Sequence, residues 1–164
     1  MDDAAVSEAV DYIAIQRLQA AYADIVNRRA WDELEVIFVP DATVSIDRRA
    51  GDPLVLRGAR EVGTFIGGLI ERMDFFEFVI LNVTMTLGVD GDADRAAARM
   101  YMCEIRHEAG TGRSTAFGVY HDHYTRTEGR WRIATRIYHS LARTGRELDV
   151  FAFPEHLAGL VAAW

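Results

Sequence analysis

The feature that most constrains this chain is a change of hydrophobic period near Phe75. Ahead of it, apolar residues recur at helical spacing. Behind it lie four β-rich segments, at about 75–88, 95–107, 114–127 and 130–143. The stretches between them, Val89 to Asp94, Glu108 to Arg113 and Glu128-Gly129, are rich in Gly and Asp, the residues that hairpin turns require. Successive hairpins build an antiparallel meander. Helices followed by a run of hairpins specify an α+β fold, not alternating βαβ units.

In the helical half, Ile15, Leu18, Tyr22 and Ile25 repeat at spacings of three and four, which predicts a helix from Ser7 to about Arg28. A short helix is expected from Trp31 to Phe38, ended by Pro40-Asp41. Ala42 to Asp47 alternates as a strand, and a loop is expected from there to Gly58. Ala59 to Met73 reads as a third helix, weakened at Gly67-Gly68 by about 1 kcal/mol per glycine relative to alanine. Pro154-Glu155 opens a last helix, His156 to Ala163. A curved meander leaves a concave face to cover, and the early helices are the available cover. The expectation is one domain over 1–164, with its core at about 10–143, a tail at 144–164, and a pocket between the first helix and the sheet.

Composition narrows the function. With 164 residues, half of them apolar, the chain can build a real core. The formal charge of −7, with arginines scattered in pairs such as Arg28-Arg29 and Arg48-Arg49, argues against a nucleic-acid partner. No apolar run approaches the roughly 18–20 residues of a membrane helix, and the acidic Met1-Asp2-Asp3 start lacks the features of a signal peptide. A lone Cys103 excludes a disulfide framework within the chain and suits a reducing, cytoplasmic location. There is no P-loop, dinucleotide glycine fingerprint or nucleophile elbow.

Several motifs taken in order resemble the SnoaL-like branch of the NTF2-like superfamily. Ile15-Gln-Arg-Leu18, Tyr22, Asn27-Arg-Arg-Ala-Trp31-Asp32, Leu34 and Phe38-Val-Pro-Asp41-Ala42 are similar to its first two helices. Gly58, Val62 and Phe65 are similar to its third helix, and Leu81-Asn82-Val83 with Asp90-Gly91-Asp92-Ala93 to its first hairpin. Tyr120-His-Asp122-His-Tyr124, Gly129-Arg130-Trp131-Arg132-Ile133 and Arg136 are similar to its last. The resemblance implies a cystatin-like cone around a pocket for a small hydrophobic molecule, no cofactor, and a homodimer or homotrimer. The branch includes scytalone dehydratase and bile-acid 7α-dehydratase. The superfamily also holds isomerases, cyclases and dioxygenase small subunits, so the fold leaves the reaction open.

Against that resemblance, Tyr22 is a candidate donor to a substrate carbonyl oxygen; a plain core tyrosine competes with that reading. Asn27 stands where the dehydratases carry aspartate, and it also suits the end of the first helix. Alternation sorts the strand faces, and the resemblance implies that Met100, Met102 and Glu104 of one strand and Gly118, Tyr120, Asp122 and Tyr124 of the next point inward. Glu104 in apolar surroundings would have a raised pKa and act as acid or base; otherwise it pairs with Arg106 or Arg136. Asn82 lies close to a histidine position of the dehydratases and could hydrogen-bond substrate. Asp122 would pair with Arg99 or Arg136, as a structural bridge or as a relay that activates water. His139 is expected as the pocket histidine. His121 and His123 lack a third metal ligand at motif spacing and are assigned to the outer face, at a subunit contact; no metal is expected. The convex face is expected to be partly apolar through Tyr101, Ile105 and Val119, and so to meet a second copy.

These residues carry three functional expectations. The first is a cofactor-independent dehydratase, isomerase or cyclase on a hydrophobic carbonyl or hydroxy compound, with Tyr22, Asn27, Glu104 and His139 as its catalytic set. Asn82, Met102, Tyr120 and Asp122 would bind the substrate. The second is a non-catalytic binder of a hydrophobic ligand. The third is an assembly subunit with a filled interior.

Overall fold

Helix α1 runs from Asp3 to Arg28, and the Asp2 carboxylate caps it by accepting from Ala4 N–H. Its opening turns are exposed; burial begins at Ile15 and follows the predicted stripe through Leu18, Tyr22, Ile25 and Val26. Each such side chain contributes roughly 1.5–3 kcal/mol when fully buried. Arg29 closes the helix in the left-handed region at φ 59°, its N–H bonding back to the last turn. The computed structural model describes residues 2–145 and 148–160.

A 3₁₀ turn over Trp31–Glu33 leads into α2, Leu34–Ile37. Strand β1 then spans Phe38–Ile46, starting earlier than the sequence suggested. Pro40 is tolerated there because β1 is out of register with its neighbour between Phe38 and Thr43, where no ladder hydrogen bond is asked of it. Strand β2, Leu54–Arg57, occupies what was expected to be loop. Helix α3, Gly58–Ile70, passes through Gly67-Gly68 unbroken. A Cβ on Gly63 or Gly67 would crowd Trp31 at 3.1 Å, so these two glycines, one turn apart, let the indole lie against the helix.

The four long strands follow the expected boundaries closely: β3 Met73–Leu87, β4 Arg95–Glu108, β5 Gly112–Thr127 and β6 Arg130–Thr144. The β5–β6 turn places Glu128 and Gly129 both at positive φ, as a two-residue hairpin loop requires. A short β7, Leu148–Val150, pairs with the far end of β6. The sheet order is β2-β1-β6-β5-β4-β3. It is curved and mixed: β1 joins the open edge of the meander parallel to β6, so the sheet is not wholly antiparallel. The expected tail helix is a 3₁₀ segment over Glu155–Leu160, and the remainder of that expectation lies outside the described residues.

Helix α1 packs on β3 and β6, and α3 packs on β1, so both cover the concave face. Asp11 fastens α1 to the β5–β6 hairpin by accepting from Arg126 Nη1 at 2.6 Å and from the Trp131 indole at 2.9 Å. No helix among the described residues is long and apolar enough to cross a membrane.

Candidate active site

Between α1, α3 and the concave sheet lies a cavity of about 400 Å³. Val62, Phe65, Ile66 and Leu69 of α3 give it an apolar wall, and Phe76 and Phe78 of β3 extend that wall. Its polar lining includes Tyr22 of α1 and Glu104, Tyr120, Arg136 and Tyr138 of the sheet, with Asp47, Arg48, Arg72, Arg106 and Arg143 also on it.

Arg136 is the central polar group, only 1 % exposed. Its Nε and Nη2 donate to the two oxygens of Asp122 at 2.8 and 2.7 Å. Behind the carboxylate, the Tyr124 hydroxyl donates to Asp122 Oδ2 at 2.7 Å, and Gln19 Nε2 of α1 donates to the Tyr124 oxygen at 2.8 Å. The guanidinium carbon sits 4.1 Å from the Tyr22 ring centre and 4.3 Å from that of Tyr120. Asp122 overrides the cost of burial and holds Arg136 firmly protonated. One nitrogen is left over: Arg136 Nη1 is buried and has no hydrogen-bond acceptor among the described residues.

The phenols around it are held protonated. Burial raises the pKa of Tyr22, with the Arg136 charge pulling the other way; burial and the neighbouring Tyr22 raise that of Tyr120 further. Burial and the nearby Glu104 also raise that of Tyr138. The lining therefore brings together the Tyr22 and Tyr120 hydroxyls and the Arg136 guanidinium, with Glu104 and Asp47 as its carboxylates. Of the two readings of Glu104, the structure shows the pairing with Arg106, which donates to it from Nε at 2.9 Å and again from Nη2. Gly118 makes room for this arrangement, because a Cβ there would collide with the Tyr138 ring.

The chain matches the SnoaL-like domain over residues 7–137. It belongs to the SnoaL-like family. Its architecture is the NTF2-like, cystatin-like one. An uncharacterised protein of Mycobacterium tuberculosis strain H37Rv is 27 % identical over 134 residues, which cover 80 % of this chain and 86 % of that one. Among solved structures, a putative scytalone dehydratase from Novosphingobium aromaticivorans superposes with a TM-score of 0.75 at 17 % identity, over 89 % of this chain and 94 % of that one. A hexachlorocyclohexane dehydrochlorinase from Novosphingobium barchaimii superposes with a TM-score of 0.74 at 16 % identity, over 91 % and 99 %.

Within this SnoaL-like cone, Tyr22, Glu104 and Tyr120 line the cavity, and Asp122 lies behind it, paired with Arg136 and not with Arg99. Other candidates sit elsewhere, each for a local reason. Asn27 turns away to β3, donating from Nδ2 to the Phe78 carbonyl at 3.0 Å and accepting from the Phe78 N–H at 2.7 Å. Met102 is fully buried beside Gly118 and does not reach the cavity. Asn82 is exposed, because Leu81 is an extra residue in β3 and flips everything after it to the opposite face. His139 is displaced in the same way by Ala134, an extra residue in β6. Alternation from Trp131 and Ile133 would send His139 inward; after Ala134 it is Arg136 and Tyr138 that point in. Sequence reasoning missed Tyr138 and Gln19 and treated Arg136 as a partner of Asp122. A bulge inside a long strand leaves no composition signal that would have found Tyr138, and Gln19 is a polar residue beside the apolar stripe of α1.

His139 instead lies on the convex face with His121, under the chain's own C-terminal segment. Phe153 rests 5.9 Å from the His121 ring and His156 lies 5.9 Å from that of His139. His121 and His139 therefore meet the protein's own tail, and Val119, expected to help make the convex face apolar, is fully buried. Burial is the main cause of the lowered pKa at both, down to about 4 for His121. No group of three metal-binding side chains forms among the described residues.

Proposed function

We propose that this SnoaL-like protein is a cofactor-independent lyase or isomerase acting on a small, largely apolar carbonyl or hydroxy compound. The observation that carries this reading is Arg136 on the cavity lining, its guanidinium flanked by Tyr22 and Tyr120 and its buried Nη1 without an acceptor among the described residues. Leaving a buried charged donor unsatisfied costs on the order of 1–3 kcal/mol, which a ligand oxygen at that point would recover. The same donors would stabilise negative charge developing on that oxygen during reaction.

In this mechanism Glu104 takes a proton from the carbon next to the carbonyl. The C–H electrons form the new C=C bond and the carbonyl π electrons move onto oxygen, giving an enolate held by Tyr22 and Arg136. In an isomerisation the Glu104 acid returns the proton to a different carbon. In a dehydration it protonates the departing β-hydroxyl, which leaves as water while the carbonyl re-forms. Arg106 orients the Glu104 carboxylate. Similar folds are named for eliminations, a dehydratase and a dehydrochlorinase, which supports the class but not a substrate.

The test is a turnover screen with β-hydroxy ketones and steroid-like enones, followed by Glu104→Gln and Tyr22→Phe on any active pair. Glu104→Gln is expected to lower kcat by about 10²- to 10⁴-fold while ligand still binds. Unchanged kcat in Glu104→Gln would overturn the assignment. The cavity's lack of a lining histidine among the described residues favours one second reading, a binder without chemistry. That reading predicts thermal stabilisation by ligand and no product with any compound that binds. The open cavity removes the motive for the third expectation, a subunit with a filled interior.

A second copy of this chain is the partner the surface suits best. Ile105 is 41 % exposed and Phe117 36 % exposed, on neighbouring convex strands. Ile105→Arg is expected to lower the mass measured by light scattering; a wild-type monomer would end that proposal.

A further inference from the structure

The cavity lining is charged in a sense opposite to the whole molecule. The chain carries a formal −7, yet the lining holds Arg48, Arg72, Arg106, Arg136 and Arg143 against only Asp47 and Glu104. Most of these charges are already matched. Arg136 is paired with Asp122, Arg106 with Glu104, and Asp47 with Arg49; Arg72 reaches Glu108 at 3.2 Å. Arg48 and Arg143 have no carboxylate partner among the described residues, and Arg143 has only a 3.2 Å hydrogen bond from Nε to the Ser140 hydroxyl.

The backbone turns Arg143 toward the cavity deliberately. Leu141 is a further extra residue in β6, and past it Arg143 pairs with Ala116, on the concave side of the sheet. Arg48 follows β1 directly, on the same lining. The lining thus holds two kinds of cationic group without a carboxylate for every N–H among the described residues. One is Arg136, buried among phenols with Nη1 unpartnered; the others are Arg48 and Arg143, exposed to solvent at the rim. An apolar wall, with Phe65 and Ile66 of α3, accompanies them on the same lining.

We propose that the ligand is an organic anion, an apolar oxo or hydroxy acid whose carboxylate is held by Arg48 and Arg143 while its carbonyl or hydroxyl oxygen meets Arg136 Nη1. This rests on the pocket reading above and narrows its substrate class. The excess of positive charge in a cleft with apolar walls also concentrates anions there, on a protein whose remaining surface repels them. Guanidinium groups suit a carboxylate because their planar N–H pairs match its two oxygens.

The experiment compares 4-(2-naphthyl)-4-oxobutanoate with its methyl ester, by calorimetry on the full chain. The two share the ketone and the apolar body and differ in the charge. The acid is expected to bind about tenfold more tightly than the ester at low salt. That advantage should shrink as ionic strength rises, because the mouth is partly open to solvent. In the double variant Arg48→Gln/Arg143→Gln the advantage should vanish. Equal binding of acid and ester by the wild type overturns the anion proposal and leaves the ketone-pocket reading standing. An advantage that survives the double variant overturns the placement at Arg48 and Arg143. Absence of binding by both compounds removes both proposals together.

Discussion

Asp122 and Arg136 face one another across the β5–β6 hairpin because β6 carries one residue too many at Ala134. In a regular ladder from the Glu128-Gly129 turn, Asp122 would oppose Thr135, and Arg136 would project from the convex face. The bulge moves the guanidinium into the concave core, where it forms the bidentate pair with Asp122. The site thus depends on a backbone irregularity as much as on side-chain chemistry.

Removing one partner of that pair should be costly. Asp122→Asn leaves Arg136 charged and buried, and the expected loss is about 3–5 kcal/mol of unfolding free energy, read from denaturant midpoints. A loss below about 1 kcal/mol would mean that the pair is solvated and loosely held.

Asn27 bears on the dehydratase comparison. Its amide both gives and takes a hydrogen bond at the Phe78 backbone, bracing the end of α1 against β3. Asn27→Asp keeps the acceptor but sets a carboxylate oxygen against the Phe78 carbonyl. The expected outcome is a stability loss of about 1 kcal/mol with no gain in turnover. An active Asn27→Asp protein would show that this position reaches the reacting centre.

Stability should depend on pH through the histidines of the convex face. His121 titrates near 4 in the folded chain against about 6.5 in an unfolded one, because burial disfavours its charge. Between those values the unfolded chain binds more protons, so acid favours unfolding. The contribution is fully present above about pH 7 and falls as pH drops through 6.5 towards 4, at up to about 1.4 kcal/mol per pH unit for one histidine. His139, also lowered by burial, adds to it. Tm measured from pH 7.5 to 5 should fall, and His121→Gln should flatten the slope. An identical slope in that variant would place the effect elsewhere.

Gly118→Ala should disturb the cavity from below. The new Cβ meets the Tyr138 ring, with the His139 carbonyl and Met102 Sδ also 3.0 Å away. Overpacking of this kind costs about 1–3 kcal/mol. A lower Tm together with weaker ligand binding is expected. An unchanged Tm would show that Tyr138 yields freely.

The four long strands and their turns were legible because each combines sustained alternation with glycines at the turns. Tyr22, Glu104 and Tyr120 were legible as lining residues because each lies where no extra residue intervenes. Asn82 and His139, expected at the pocket, do not line the cavity: Leu81 and Ala134 each shift their strand by one, and neither residue announces it. The short strands β2 and β7 span four and three residues, too few for a period to register. The parallel β1–β6 pairing joins segments far apart in sequence, which no local pattern encodes.

The proposed function requires a ligand oxygen held by Arg136 and the Tyr22 hydroxyl. Infrared difference spectroscopy of a bound aryl ketone labelled with ¹³C at its carbonyl reads that contact directly. The carbonyl stretch is expected to lie below its frequency in water, and to move back up in Tyr22→Phe. A bound carbonyl absorbing as it does in hydrocarbon solvent, with no response to Tyr22→Phe, would contradict the account.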